Sequence, residues 1–144
     1  MGTRGLTCAV IDGEMKIAQY GQWDHYPSGV GLEIATFMEA LYTHNELGQF
    51  KEAVRECKFI PYDEVVKQYK KKIPDYKEND GWVTFDMSEK LKKEFPQFHR
   101  DTGGEILALV MDGVRELQDS YSFGDDALFC EWAYVIDLDK DQIL

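Results

Sequence analysis

An acid beside an imidazole is the smallest set that can move a proton. This chain places Asp24 and His25 together in the stretch Gln22-Trp23-Asp24-His25-Tyr26-Pro27-Ser28-Gly29-Val30-Gly31. Arg4 is a candidate third member that would hold an anion beside them. Neighbours in sequence rarely face one another, and no nucleophile stands at a known spacing from either group. His25 is therefore expected to bond locally in a loop, and no catalytic residue is assigned. Gly29 and Gly31 leave backbone N–H groups at the start of a helix, a place where a phosphate or carboxylate is held. A plain turn followed by a helix start explains the same residues.

Other sets of reactive residues are weaker. Gly103-Gly104 opens a helix but lacks the longer pattern and the lysine of a phosphate loop. Thr3 and Cys8 lie near the N-terminus, yet removal of Met1 would expose Gly2, which carries no nucleophile. Asp137, Asp139 and Asp141 alternate like the start of a calcium loop, but Gln142 stands where that loop needs glycine. His25, His44 and His99 with Cys8, Cys57 and Cys130 lack zinc spacing, so no metal and no cofactor are expected. Phe123, Phe129, Trp132 and Tyr134 read as core, because Asp125 and Asp126 would repel a nucleic-acid strand stacked on them. What remains is a candidate binding surface of Arg4, Trp23, Asp24, His25 and Tyr26, joined by the acids Asp119, Asp125 and Asp126.

The elements that must position these residues follow from periodicity. Leu6 to Ile11 and Met15 to Tyr20 are β-rich runs around Asp12-Gly13, which predicts a hairpin. Leu32, Ile34, Ala35, Phe37, Met38, Leu41 and Tyr42 have helical spacing. Asn45 is the expected cap of a second helix whose Leu47, Phe50, Ala53, Val54 and Cys57 face inward. Cys57 to Ile60 reads as a short extended link before Pro61, and Val65, Val66 and Tyr69 as a helix closing in Lys70-Lys71-Lys72. Gly81 to Phe85 reads as a short extended segment. Asp86 with Glu89, and Thr102 with Glu105, resemble capping boxes. The apolar stripe Ile106, Leu107, Val110, Met111, Val114 and Leu117 predicts a long helix behind the second box. Leu128 to Leu138 predicts a central strand, and Gln142-Ile143-Leu144 the first step of a returning one.

A chain of 144 residues with 44% apolar content is expected to form a single α+β domain over residues 1–144, with its own core. No apolar run approaches the roughly 20 residues of a membrane span, and no segment reads as a secretory signal. Thr7 falls one place late for myristoylation of Gly2. Three widely spaced cysteines read as reduced thiols of a cytoplasmic protein. The net charge of −11 is uneven, with −4 in residues 1–50, +2 in 51–100 and −9 in 101–144. Such acidity disfavours direct nucleic-acid binding and suits a protein partner with a basic surface.

Met1-Gly2-Thr3-Arg4-Gly5-Leu6, Tyr20-Gly21-Gln22-Trp23-Asp24, Tyr26-Pro27-Ser28-Gly29, Arg100-Asp101-Thr102-Gly103 and Leu128-Phe129-Cys130-Glu131-Trp132-Ala133-Tyr134-Val135-Ile136-Asp137-Leu138-Asp139 together give the chain a family likeness. It resembles a family of small proteins carried by bacteriophages and prophages. The resemblance implies a setting and no reaction: an accessory protein in the bacterial cytoplasm that inhibits a host defence system, in the manner of anti-CRISPR proteins. The alternatives are a protein that sequesters or hydrolyses a nucleotide or phosphorylated signal, and a housekeeping phage protein. The fold expectation is α+β, with a small antiparallel sheet made from the N-terminal hairpin and the C-terminal strand and covered on one face by helices.

Overall fold

A computed structural model describes residues 3–78, 82–121 and 130–143. The hairpin is built from β1 (Gly5–Ile11) and β2 (Glu14–Gly21). Its turn residues Asp12 and Gly13 both take positive φ, 54° and 74°, the backbone that a two-residue hairpin turn requires and that glycine adopts without strain. A π-helical turn at Pro27–Gly31 leads into α1 (Leu32–Thr43), and α2 (Leu47–Glu56) follows. Next come β3 (Lys58–Phe59), α3 (Tyr62–Lys72), α4 (Phe85–Glu94) and α5 (Ile106–Met111). The chain continues through β4 (Glu116–Leu117), β5 (Trp132–Asp137) and β6 (Gln142–Ile143).

The architecture is α+β, as the sequence predicts. The main sheet has the order β2-β1-β5-β6, and β3 pairs with β4 in a second, two-stranded sheet. The hairpin β1/β2 and the pair β5/β6 are antiparallel, while β5 runs parallel to β1 from Gly5↔Trp132 to Val10↔Asp137. The central ladder is parallel because five helices and the small sheet separate β2 from β5 along the chain, enough to return it to the same end. Alternation divides β1 between two faces. Ala9 and Ile11 join Ile17 and Ile136 under Ile34, Phe50, Val54 and Val110 of the helices. Leu6 and Cys8 turn to the other face with Ala18, beside Phe59 and Val135. A separate apolar cluster joins α3 to α4 through Val65, Tyr69, Met87, Leu91 and Phe95.

Several local expectations are corrected. Asn45 takes φ 58° and caps nothing; Glu46 occupies the cap position of α2 without a side-chain bond. The cap of α4 is Thr84 and not Asp86, because the Thr84 hydroxyl accepts the Met87 N–H at 3.2 Å, which draws Phe85 into the first turn. Thr102 is helical in backbone and donates its hydroxyl to the Pro96 carbonyl, so it is no capping box. The long helix from Ile106 stops at Met111, since Gly113 takes φ 122°; Val114 then packs against the core and Leu117 is buried in β4. The strand predicted over Leu128–Leu138 spans Trp132–Asp137, and Leu128 and Phe129 lie outside the described residues. No disulfide joins the three cysteines, and burial, with Cys130 and Asp119 nearby, pushes the Cys8 thiol up to about 12. No helix among the described residues is long and apolar enough to cross a membrane.

The alternating aspartates near the C-terminus have a structural task. Asp139 accepts the Asp12 N–H at 2.8 Å and the Gly13 N–H at 3.0 Å, clasping the hairpin turn. Asp137 accepts the N–H groups of Asp139 and Lys140. The Gly13 and Asp12 amides hold the Asp139 carboxyl below its ordinary 3.8. Its contribution is thus complete above 3.8 and lost as the pH falls through the lower folded value. Asp139→Ala is expected to lower the melting temperature at pH 7. Melting curves of the two proteins at descending pH should converge below that range, and an unchanged pH 7 curve would refute the clasp.

Candidate functional site

The loop after β2 is folded into the body of the protein. The His25 N–H donates to the Thr3 carbonyl at 3.1 Å, and the Tyr134 hydroxyl donates to the His25 carbonyl at 2.8 Å. Asp24 takes φ 57°, which aims its carbonyl at the Val30 N–H, 2.7 Å away. The N–H groups of Gly29 and Gly31 donate to the Tyr26 carbonyl at 3.0 and 3.2 Å. These amides are therefore occupied within the turn, and the anion site considered from the sequence does not form.

His25 is fully buried. Its Nδ1 lies 2.9 Å from the Trp23 carbonyl, which places a proton on Nδ1, and Nε2 has no partner among the described residues. The ring lies against the bare backbone of three glycines. A methyl group on Gly21 would stand 2.1 Å from Cε1 and one on Gly5 2.7 Å from Cδ2, while on Gly103 it would be 3.2 Å from Cε1. Burial lowers the His25 pKa, and the bonds to Trp23 and Thr3 and the charge of Asp24 oppose that fall only in part. The neutral ring is a packing element with no exposed surface from which to exchange a proton.

Trp23 leaves the same loop in another direction. Its indole N–H donates to Asp101 at 2.8 Å, while the Gln22 N–H donates to the Arg100 carbonyl at 3.0 Å. Beyond Trp23 opens a groove of about 680 Å³, bordered by Trp82, Phe85, Ser88, His99 and Asp101. Such a volume is within the usual range of ligand sites. Trp82 and Phe85 are each 77% exposed and Trp23 is 45% exposed. Trp82 lies two residues before the Thr84 cap, and Phe85 is the first residue of α4.

Ser88, His99 and Asp101 have the composition of a hydrolytic triad but not its wiring. Ser88 Oγ lies 3.1 Å from His99 Nε2. His99 Nδ1, however, accepts the backbone N–H of Asp101 at 3.1 Å, and the nearer Asp101 carboxylate oxygen is 3.8 Å away. A neutral imidazole that accepts at Nδ1 carries its proton on Nε2. It donates to the serine and cannot take the serine's proton, the reverse of what nucleophile activation needs. Burial lowers the His99 pKa, with Asp101 opposing, which favours this neutral form. Burial also pushes Asp101 up, but the Trp23 indole, His99 and Lys92 together hold its carboxyl below the usual range.

The residues singled out in the sequence do not converge. Trp23 borders the groove, His25 is in the core, and Asp24 and Tyr26 are exposed on the turn. Arg4 approaches Tyr20, whose side chain packs on the sheet face opposite to the His25 ring. Asp119 bridges to Ala18 of β2, and its carboxylate accepts the Tyr121 N–H at 2.9 Å. Asp125 and Asp126 lie outside the described residues. Trp82, Phe85, Ser88 and His99 were missed, because only the fold brings them to Trp23. The one local signal was Thr84 ahead of an apolar residue. No group of three or more metal-ligating side chains is gathered among the described residues. No protein-family model, curated protein or solved structure matches the chain at a significant level.

Two outcomes follow from this geometry. His25 stays neutral when folded but binds a proton near 6.5 when unfolded, so its contribution is complete above 6.5 and lost as the pH falls toward the lowered folded value. In urea titrations His25→Gln should be less stable at pH 7.5 and show a flatter decline below 6.5; equal slopes would refute a buried neutral ring. A fluorophosphonate probe should leave Ser88 unmodified in mass spectra, and stoichiometric labelling would overturn the proton assignment at His99.

Proposed function

We propose that this chain works by binding, and that the groove bordered by Trp23, Trp82 and Phe85 is its recognition surface for a basic segment of another protein. The observation that carries this reading is the exposure of Trp82 and Phe85, 77% each, beside a groove that already holds a third ring. Large rings left in water gain nothing for an isolated protein, whereas at interfaces they supply most of the binding energy. Charge favours a cationic partner. Glu89 and Asp101 line the groove with Arg100, and the chain carries −11 overall. A lysine or arginine laid over an indole face gains a further cation–π attraction. The resemblance to phage proteins supplies the setting: the partner is an effector of host defence in the bacterial cytoplasm, inhibited because its basic surface is covered.

A second reading rests on the groove's volume and on Ser88, His99 and Arg100 within it, which suit a nucleotide or phosphorylated signal held without turnover. Millimolar nucleotides and signalling dinucleotides would then raise the melting temperature, whereas the protein-binding reading expects no shift.

Immobilised protein should retain a basic host protein at low salt and release it as screening shortens the electrostatic range. Trp82→Ala should weaken that complex by about tenfold or more, in line with the loss of an interface anchor, while Tyr26→Ala should leave it unchanged. The opposite ranking in a binding titration would move the surface to the turn, and equal capture at high salt would remove the basic partner.

A further inference from the structure

We infer that a small polar pocket beside the outer edge of β2 binds a phosphate group, with Arg100 as its cation and Gln19, Gln118 and Ser120 as its neutral donors. Two backbone bonds build the pocket. The Ser120 N–H donates to the Ala18 carbonyl at 2.9 Å, and the Gln22 N–H donates to the Arg100 carbonyl at 3.0 Å. Ala18 and Gln22 are separated by about 13 Å in an extended chain. The segments 98–100 and 118–120 are thus fixed to this edge on either side of Gln19 and Tyr20, and together they line a pocket of about 170 Å³. That volume is below the usual range for a whole organic ligand and suits a single anionic group.

The lining chooses the ligand. Among the described residues it holds no carboxylate, in a chain with 27 acidic and 16 basic side chains. The aromatic groove, which shares His99 and Arg100 with it, has both Glu89 and Asp101. The Arg100 guanidinium makes no ion pair among the described residues, and the neighbouring Asp101 is held by Trp23 and Lys92 instead. Gln19 is only 6% exposed, yet its side-chain amide has no hydrogen-bond partner among the described residues and meets the pocket. A buried amide in that position costs free energy unless a further group answers it. The charges of Arg4 and Arg100 both reach the Tyr20 phenol, where they oppose the rise that burial imposes on its pKa. The planar fork of an arginine matches a phosphate with two parallel bonds. The remaining phosphate oxygens accept from the two amides and the serine hydroxyl.

The probe is inorganic phosphate, titrated at constant ionic strength into the intact, isotope-labelled protein and followed by NMR. The side-chain amide signals of Gln19 and Gln118 should shift and saturate, while the Trp82 indole signal stays in place. Arg100→Gln should weaken binding about tenfold or more, as loss of a charged hydrogen-bond donor does, and Gln118→Leu by a smaller factor. Arg100 is exposed and Gln118 half-buried, so both variants keep the core that a change at Gln19 would disturb. Acetate should bind several-fold more weakly than phosphate. Trp82→Ala and Ser88→Ala should leave phosphate affinity unchanged, which separates this pocket from the aromatic groove. No saturable shift at millimolar phosphate, equal binding by Arg100→Gln, or equal binding of acetate would overturn the inference. Loss of binding on Trp82→Ala or Ser88→Ala would also overturn it, by placing the phosphate in the groove.

Discussion

The His25 ring fills the space that side chains at positions 5, 21 and 103 would otherwise occupy, and much of the fold depends on that close approach. Gly5 begins β1, Gly21 ends β2 and Gly103 stands just before α5. One imidazole therefore packs on both strands of the hairpin and on the segment that precedes α5. Its Nε2, without a partner among the described residues, costs on the order of 1–3 kcal/mol as an unsatisfied buried group. That cost is offset by ring packing and by the bonds to Thr3, Trp23 and Tyr134 that hold the loop in place. The same residue that invites an acid–base reading is thus withdrawn from solvent to hold the backbone together.

The orientation of the loop follows from this constraint. With His25 inward, Trp23 emerges on the side of Asp101 and meets the helical α3–α4 unit, while Val30 and the π-helical turn lead into α1. The groove exists where these two units come together. Trp82 and Phe85 flank the Thr84 cap there, and the Asp101 amide occupies Nδ1 of His99. The groove therefore holds the residue types of a hydrolytic triad without the hydrogen bond from Nδ1 that such a triad uses.

Acidity reads differently once the bonds are known. Of the acids after residue 100, Asp101 holds an indole, Glu116 accepts from Gln68 and faces Lys58, Asp139 clasps a turn and Asp141 pairs with Lys51. A share of the −9 in that part of the chain is committed to the fold itself. The net charge of −11 therefore overstates the acidity left outside such bonds, and Glu89 lines the aromatic groove directly.

Periodicity and turn chemistry by themselves determined the hairpin, α1, α2 and the C-terminal strand, because those signals lie within a few residues of one another. Capping was less legible. Asn45, Asp86 and Thr102 all have suitable side chains, and hydrogen bonds to neighbouring groups decide between them and residues such as Thr84. The apolar stripe from Ile106 to Leu117 could not reveal its own break, since Val114 and Leu117 remain packed or buried after Gly113 ends the helix. Only the tertiary structure decided that β5 lies parallel to β1, that Trp23 meets Trp82 and Phe85 at one groove, and that His99 carries its proton on the wrong nitrogen for catalysis. Each of these depends on backbone groups from distant segments, and residue types read along the chain do not encode where another segment's amide or α-carbon will stand.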